Sequence, residues 1–193
     1  MKNDDIYDCI VLYSGGADSC LMLKMLLDVG KRPLCVLIDY GQKHVKELIY
    51  AKNQLENLEI DFQRITINGY NVDSGLTGNN VEGQYEGVSV YNIPARNSIF
   101  LSIAAGIAES LGVTQVFIGC DMNDFYDGFP DCKQEYIGKM NEAFKIAFSY
   151  PITINAPLLG LTKEFIIETL EKKYGVTKGM LYSGYQESSD IGF

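Results

Sequence analysis

The sequence predicts an α/β fold in which one parallel sheet is covered by helices on both faces. Three observations predict it. Short apolar runs alternate with segments of helical period along most of the 193 residues, the pattern of successive strand–helix crossovers. The first apolar run, Cys9-Ile10-Val11-Leu12-Tyr13, passes through a glycine turn directly into an apolar helical segment. The length suits one domain with a full core and is too short for two ordinary ones. The expectation is therefore a single doubly wound, Rossmann-like domain spanning 1–193.

In chain order, the first strand gives way to Ser14-Gly15-Gly16-Ala17-Asp18-Ser19 and a helix through Leu21 to Leu27. Gly30 and Pro33 punctuate the chain before a second buried strand, Leu34 to Asp39, and a helical stretch from Val45 to Asn57 follows. Asp61 to Ile67 alternates apolar and polar residues as a third strand does. Residues 68–92 are rich in Gly and Asn and weakly patterned, which predicts a mobile loop. A helix is expected from Ala95 to Leu111, stopped by Gly112, then a fourth strand from Val113 to Gly119. Cys120 to Cys132 reads as a polar and aromatic loop, and Lys133 to Phe148 as a helix with Tyr136, Ile137, Met140 and Phe144 on one face. Pro151 to Leu159 is extended, Thr162 to Tyr174 helical, and 176–193 a tail with little pattern.

Composition narrows the function. Hydrophobic residues make up 47% and charged residues 21%, the balance of a globular protein. No stretch has the length of a membrane span, and the acidic start is not a signal peptide. The net charge of −9 disfavours a nucleic-acid substrate, whose phosphates need a basic surface. The five cysteines form no Cys-x-x-Cys pair, so their usage is that of a reduced, cytoplasmic protein without a disulfide framework.

The glycine turn carries the first chemistry. Backbone N–H groups at a turn and helix start favour an anion. Ser14 and Ser19 add hydroxyls, Gly15 and Gly16 allow close approach, and the Asp18 carboxylate suits Mg²⁺. The plain alternative is a glycine turn capping a helix. Neither Gly-x4-Gly-Lys-Ser/Thr nor Gly-x-Gly-x-x-Gly is present. Ligands of parallel sheets sit at the strands' carboxyl ends, where Ser14 to Ser19, Asp39 to His44 and Cys120 to Cys132 all fall. Asp39 and Tyr40 lie where an adenosine would sit in a nucleotide fold. The single histidine, His44, is either structural or part of the site. Arg96 either binds a phosphate or carboxylate bidentately or satisfies backbone carbonyls, and Asn97 caps a helix or binds. Four aspartates and three aromatics between Asp121 and Asp131 are a solvated acidic turn or a seat for a planar base with N–H donors.

Ser-Gly-Gly-x-Asp-Ser after a first strand resembles the pyrophosphate loop of the N-type ATP pyrophosphatases, enzymes of adenine nucleotide alpha hydrolase-like fold. A sharper resemblance covers about Leu12 to Lys163. Asp39-Tyr40-Gly41-Gln42-x-His44-x-x-Glu47, Pro94-x-Arg96-Asn97-x-Ile99-Phe100-Leu101 and Asp124-Phe125…Gly128-Phe129-Pro130-Asp131-Cys132-x-x-Glu135 look like the 7-cyano-7-deazaguanine synthase (QueC) family.

That resemblance implies an ATP-dependent ligase of queuosine biosynthesis, working with Mg²⁺, ammonia and a small deazaguanine substrate. The carboxylate of 7-carboxy-7-deazaguanine is adenylated with loss of pyrophosphate and captured as the amide. A second ATP-driven step dehydrates the amide to the nitrile. It implies ATP binding by Ser14, Gly15, Gly16, Asp18, Ser19, Asp39, Tyr40 and Lys163, with Asp18, Ser19 and Lys163 catalytic. Lys163 is otherwise an ordinary first-turn lysine. The substrate falls to Gln42, His44, Arg96, Asn97, Asp124, Phe129 and Asp131, with Asp131 ahead of Asp124 for the base edge. A homodimer is expected, with no nucleic acid or membrane partner. Two departures stand out: Tyr126-Asp127 replaces a single serine, and Ser183-Gly184-Tyr185 stands where the family carries the first of its zinc-binding cysteines. No zinc site is expected, since Cys120, Cys132 and His44 make only three ligands. Stopping at the amide, transfer to another acceptor such as a protein, and a non-catalytic nucleotide-binding subunit are the alternatives. Other adenylating enzymes, a tRNA-thiolating ligase or an amidotransferase synthetase, fit the third loop less well.

Overall fold

The computed structural model describes residues 6–42, 45–70, 89 and 92–181. Among them the chain forms β1 (Cys9–Leu12), α1 (Ala17–Asp28), β2 (Pro33–Asp39), α2 (Val45–Asn57), β3 (Phe62–Thr66) and α3 (Arg96–Leu111). It continues with β4 (Gln115–Phe117), α4 (Met122–Tyr126), α5 (Gln134–Ala147), β5 (Thr153–Asn155), α6 (Lys163–Tyr174) and a 3-10 turn (Lys178–Met180). The strands make one sheet in the order β3-β2-β1-β4-β5, and every pairing is parallel. The α/β parallel-sheet expectation holds.

The side chains of β1 and β2 divide between two cores, as strands buried on both faces must. Ile10, Leu12, Leu34, Val36 and Ile38 join Leu101, Ala104, Ala105 and Ala108 of α3 and Ile137 and Phe144 of α5. Cys9, Val11, Cys35 and Leu37 face the opposite way. They pack against Leu21 and Leu23 of α1, Ala51 and Leu55 of α2, and Ile166 and Leu170 of α6. Such runs are apolar throughout because neither face meets water. The edge strand β3 is only half-buried, hence its alternation.

The strand order decides where a ligand fits. β1 pairs β2 on one side and β4 on the other. The chain therefore leaves β1 at the reversal of strand order, where a crevice opens beyond the carboxyl ends. Ser14 to Ser19 lies there.

Several boundaries differ from expectation. Strand pairing covers only Gln115–Phe117 and Thr153–Asn155 of the longer extended segments. The stretch 120–132 contains α4, whose Asp121 side chain accepts from the Asp124 N–H at 2.9 Å while the Asp124 side chain accepts from the Asp121 N–H at 3.1 Å. That reciprocal cap satisfies two helix-end donors and turns a polar loop into an ordered helical turn. The expected mobile loop falls largely on 71–88, 90 and 91, outside the described residues, as do His44 and 182–193 of the tail. Among the described residues no helix is long and apolar enough to cross a membrane.

Candidate active site

The turn after β1 is built around Gly15 and two serines. Gly15 has φ +82°, and a Cβ there would lie 3.0 Å from both Cα and Cβ of Ala51 on α2, so conformation and space both require glycine. Gly16 is ordinary extended backbone and forms the N-cap of α1. Ser19 is buried, and its hydroxyl donates to the Gly16 carbonyl at 3.1 Å and accepts from the Ser14 N–H at 3.3 Å. The Gly16 N–H donates to Ser14 Oγ at 3.3 Å. In this conformation the two hydroxyls hold the loop's shape. Gln54 of α2 braces it from behind: its Nε2 donates to the Gly15 carbonyl at 3.3 Å and to the Met180 carbonyl at 2.7 Å, while its Oε1 accepts from the Tyr13 hydroxyl at 2.6 Å.

Beside the loop three charges meet. Lys163 Nζ donates to both oxygens of Asp18, at 2.7 and 2.6 Å, and lies 2.7 Å from Asp121 Oδ2. The Asp121 contact is an ion pair without the angle of a directed hydrogen bond. Asp121 is fully buried, whereas the Asp18 and Lys163 side chains are 20% and 35% exposed. Burial pushes the Asp18 carboxyl up to about 6, against the pull of Lys163, and the neighbouring Asp121 and Asp124 carboxylates add to the rise. Burial works the same way on Asp121, but the Lys163 ammonium and the Asp124 N–H outweigh it and hold that carboxyl below its ordinary value. Lys163 loses solvation too, yet Asp18 and Asp121 raise its pKa. One ammonium thus serves two carboxylates, and Asp18 is the one that accepts a proton first on acidification.

The backbone delivers Lys163 to this point. Thr162 caps α6 by accepting from the Phe165 N–H at 3.3 Å. Asn123 Oδ1 accepts from the Lys163 N–H at 2.9 Å, and the Met122 N–H donates to the Leu161 carbonyl at 3.0 Å. The α4 segment is therefore stitched to the start of α6. Gly119, just after β4, completes the fit: a Cβ there would lie 3.0 Å from Ser19 N and 3.1 Å from the Asp18 carbonyl carbon.

A second group of polar residues gathers at the ends of β2 and the start of α3. Asp39 pairs with Arg64 of β3 at 2.5 Å and accepts from the Gly41 N–H at 3.2 Å, and Arg64 first of all holds its carboxyl below the ordinary value. The buried Gln42 accepts from the Tyr40 N–H at 3.0 Å through Oε1. The Tyr40 ring tilts against Phe100 with centroids 5.3 Å apart, and its hydroxyl accepts from Arg96. Burial works against the Arg96 guanidinium, but Tyr40 and Asp131 keep it charged. Asn97 and Asp131 are both buried; the Asn97 N–H donates to Asp131 Oδ2 at 3.3 Å, and Asn97 Nδ2 to Cys132 Sγ at 3.7 Å.

This geometry meets a family match along nearly the whole chain. The family described as "Queuosine biosynthesis protein QueC" matches residues 8–192. The chain belongs to the QueC family. The 7-cyano-7-deazaguanine synthase of Myxococcus xanthus is 35% identical over 190 residues, covering 91% of this chain and 82% of that protein. The synthase of Picrophilus torridus is 36% identical over 187 residues, covering 91% and 77%. This chain is thus an ATP-dependent ligase of the QueC kind. Among solved structures, the NH3-dependent NAD synthetase of Campylobacter jejuni superposes with a TM-score of 0.53 at 18% identity, over 98% of this chain and 75% of that one. That likeness concerns the fold, which is the adenine nucleotide alpha hydrolase-like one.

Of the residues expected at the site of this QueC-family chain, the structure brings Ser14, Gly15, Gly16, Asp18, Ser19 and Lys163 to one end of the sheet. Tyr40, Gln42, Arg96, Asn97 and Asp131 form the neighbouring group. Asp124 lies between them as part of the α4 cap. Phe129 is buried in the core on the α3 and α5 side of the sheet. Sequence reasoning missed Gln54, Gly119, Asn123 and the partnership of Asp121 with Lys163. Only the Asp121-x-x-Asp124 spacing, a capping-box pattern, offered a local signal.

Proposed function

We propose that this chain adenylates the carboxylate of 7-carboxy-7-deazaguanine with ATP, releases pyrophosphate, and lets ammonia displace AMP to give the amide. A second ATP-driven activation of the amide oxygen, with loss of AMP and a proton, then yields the nitrile. The observation that carries this reading is Lys163 seated between Asp18 and Asp121 at the reversal of strand order, beside the glycine turn. A carboxylate repels nucleophiles and lacks a good leaving group, so activation must come first.

The turn's N–H groups and α1's first turn favour the β- and γ-phosphates, with Ser14, Gly15, Gly16 and Ser19 shaping the cradle. Carboxylate oxygens suit Mg²⁺, and Asp18 offers two at the mouth of that cradle; the bound ion would supply charge neutralisation on departing pyrophosphate. Lys163 changes partners, leaving Asp18 for the phosphate as charge develops there. Asp39 and Tyr40 border the adenosine. Arg96, Asn97 and Gln42 line the acceptor side, and Asp131 accepts from the base's N–H edge.

Incubating the protein with ATP, Mg²⁺, ammonia and 7-carboxy-7-deazaguanine, then weighing the products, tests the proposal. Amide and nitrile are expected, together with AMP and pyrophosphate. Amide alone would end the reaction at its first half, and acid-independent ATP turnover would refute the assignment. Asp18→Ala is expected to abolish acid-dependent pyrophosphate release.

A further inference from the structure

Cys120, Asp124 and Cys132 meet around one point: a thiol sulfur from each cysteine and a carboxylate oxygen of Asp124 all lie within 4.8 Å of one another. Cys120 follows β4 by three residues, Asp124 lies within α4, and Cys132 stands two residues before α5. Asp124 is the ligand that cysteine and histidine spacing alone does not reveal. From this cluster we infer that the chain holds a soft divalent metal ion, of the zinc class, on Cys120, Asp124 and Cys132.

The donor set selects the ion. Two sulfurs and one carboxylate suit zinc-like metals, and hard cations such as Mg²⁺ or Ca²⁺ prefer all-oxygen sites. In a tetrahedral site with Zn–S of about 2.3 Å the sulfurs stand about 3.8 Å apart. The groups are already within 4.8 Å, so closure needs only small side-chain rotations. Binding converts two thiols to thiolates and releases two protons to solvent, and the carboxylate contributes a third negative charge. The ion's two positive charges leave one negative charge over. Arg96, which interacts electrostatically with both Cys132 and Asp124, offsets it.

The surroundings resemble an outer shell that orients metal ligands. Asn97 Nδ2 donates to Cys132 Sγ at 3.7 Å, and Asp124 Oδ2 accepts from the Asp121 N–H at 3.1 Å. Both cysteines are buried in the core, so the ion would be held from within. A Cys120–Cys132 disulfide is the rival outcome, but it would leave the convergence of Asp124 unexplained, and both thiols are free. Coordination would tie the end of β4 to the start of α5 across α4. Three protein ligands leave a fourth position open.

Co²⁺ is the probe, because thiolate coordination gives it a near-ultraviolet charge-transfer band and tetrahedral geometry gives strong visible bands. Reduced full-length protein, titrated with Co²⁺, is expected to develop both at one equivalent and to lose them when Zn²⁺ is added. Cys120→Ser and Cys132→Ser should each weaken binding by more than the roughly 10–100-fold that outer-shell changes cost. Asn97→Ala should fall inside that range and keep the band, and Cys20→Ala should bind as the parent does. Metal-free melting of each variant establishes that it folds. No thiolate band in the reduced parent would overturn the inference. So would a band that survives in folded Cys120→Ser/Cys132→Ser protein, or a parent in which these two cysteines form a stable disulfide and bind no cobalt after reduction.

Discussion

Replacing Lys163 by methionine separates what this lysine does for the fold from its proposed role in the reaction. The substitution removes the ammonium from between Asp18 and Asp121 and leaves a fully buried Asp121 carboxylate without its counter-charge. Breaking a buried pair in this one-sided way costs about 3–5 kcal/mol. Lys163 is 35% and Asp18 20% exposed, so water screens part of the loss, and about 2–3 kcal/mol is the working figure. For a chain of this size that lowers the melting temperature by about 4–12 °C. Adding Asp121→Asn to Lys163→Met takes away the stranded charge and should recover more than half of the loss. A double-mutant cycle should show a coupling of about 1–3 kcal/mol. Activity should behave differently: acid-dependent pyrophosphate release is lost in Lys163→Met and stays lost in the double variant. Thermal melts and a pyrophosphate-release assay on the four proteins decide the matter. If Lys163→Met melted with the parent, or if Asp121→Asn failed to restore it, Asp121 would not depend on Lys163. A Lys163→Met protein with parental turnover would remove Lys163 from the reaction.

Further expected outcomes concern Asp18, Asp131 and Gly119. Asp18, pushed up to about 6 by burial, must be ionised to hold a cation, so pyrophosphate release should rise with pH through about 6. Because its folded value lies above the ordinary 3.8, its contribution to stability is full below about 4 and is lost as pH rises through about 6; Asp18→Asn should flatten that dependence in melts taken across the window. Asp131→Asn sets an amide donor against the base's donors and should weaken the deazaguanine acid by roughly tenfold to a hundredfold, about 1–3 kcal/mol, with ATP affinity hardly changed. Equal losses for both ligands in binding titrations would reduce Asp131 to its bond with the Asn97 N–H. Gly119→Ala drives a methyl against the Ser19 and Asp18 backbone and should cost about 1–3 kcal/mol in denaturant unfolding, with ATP affinity falling more than that for the acid; an unperturbed variant would mean that α1 shifts freely.

The α/β alternation, the spans of α2, α3, α5 and α6 and the glycine turn were legible in the chain itself. These rest on periods of a few residues: Val45–Asn57 appears in the structure with the expected limits, and α3 and α6 begin within one residue of expectation. Cys9, Cys20 and Cys35 in the core were legible for the same reason, since an apolar run on a buried strand or helix has one place to go. Which partners the side chains meet follows from the packed fold. Asp18 and Lys163 are 145 residues apart, and nothing near Asp121 in the chain shows that it will share their ammonium. Gly119 looks like any strand-ending glycine until α1 packs across it, and Cys120, Asp124 and Cys132 converge only once α4 winds the loop between them. Local periodicity fixes which way a side chain faces within its own element. The charge, sulfur or backbone that it then meets depends on the order of strands in the sheet, which is a property of the whole packed chain.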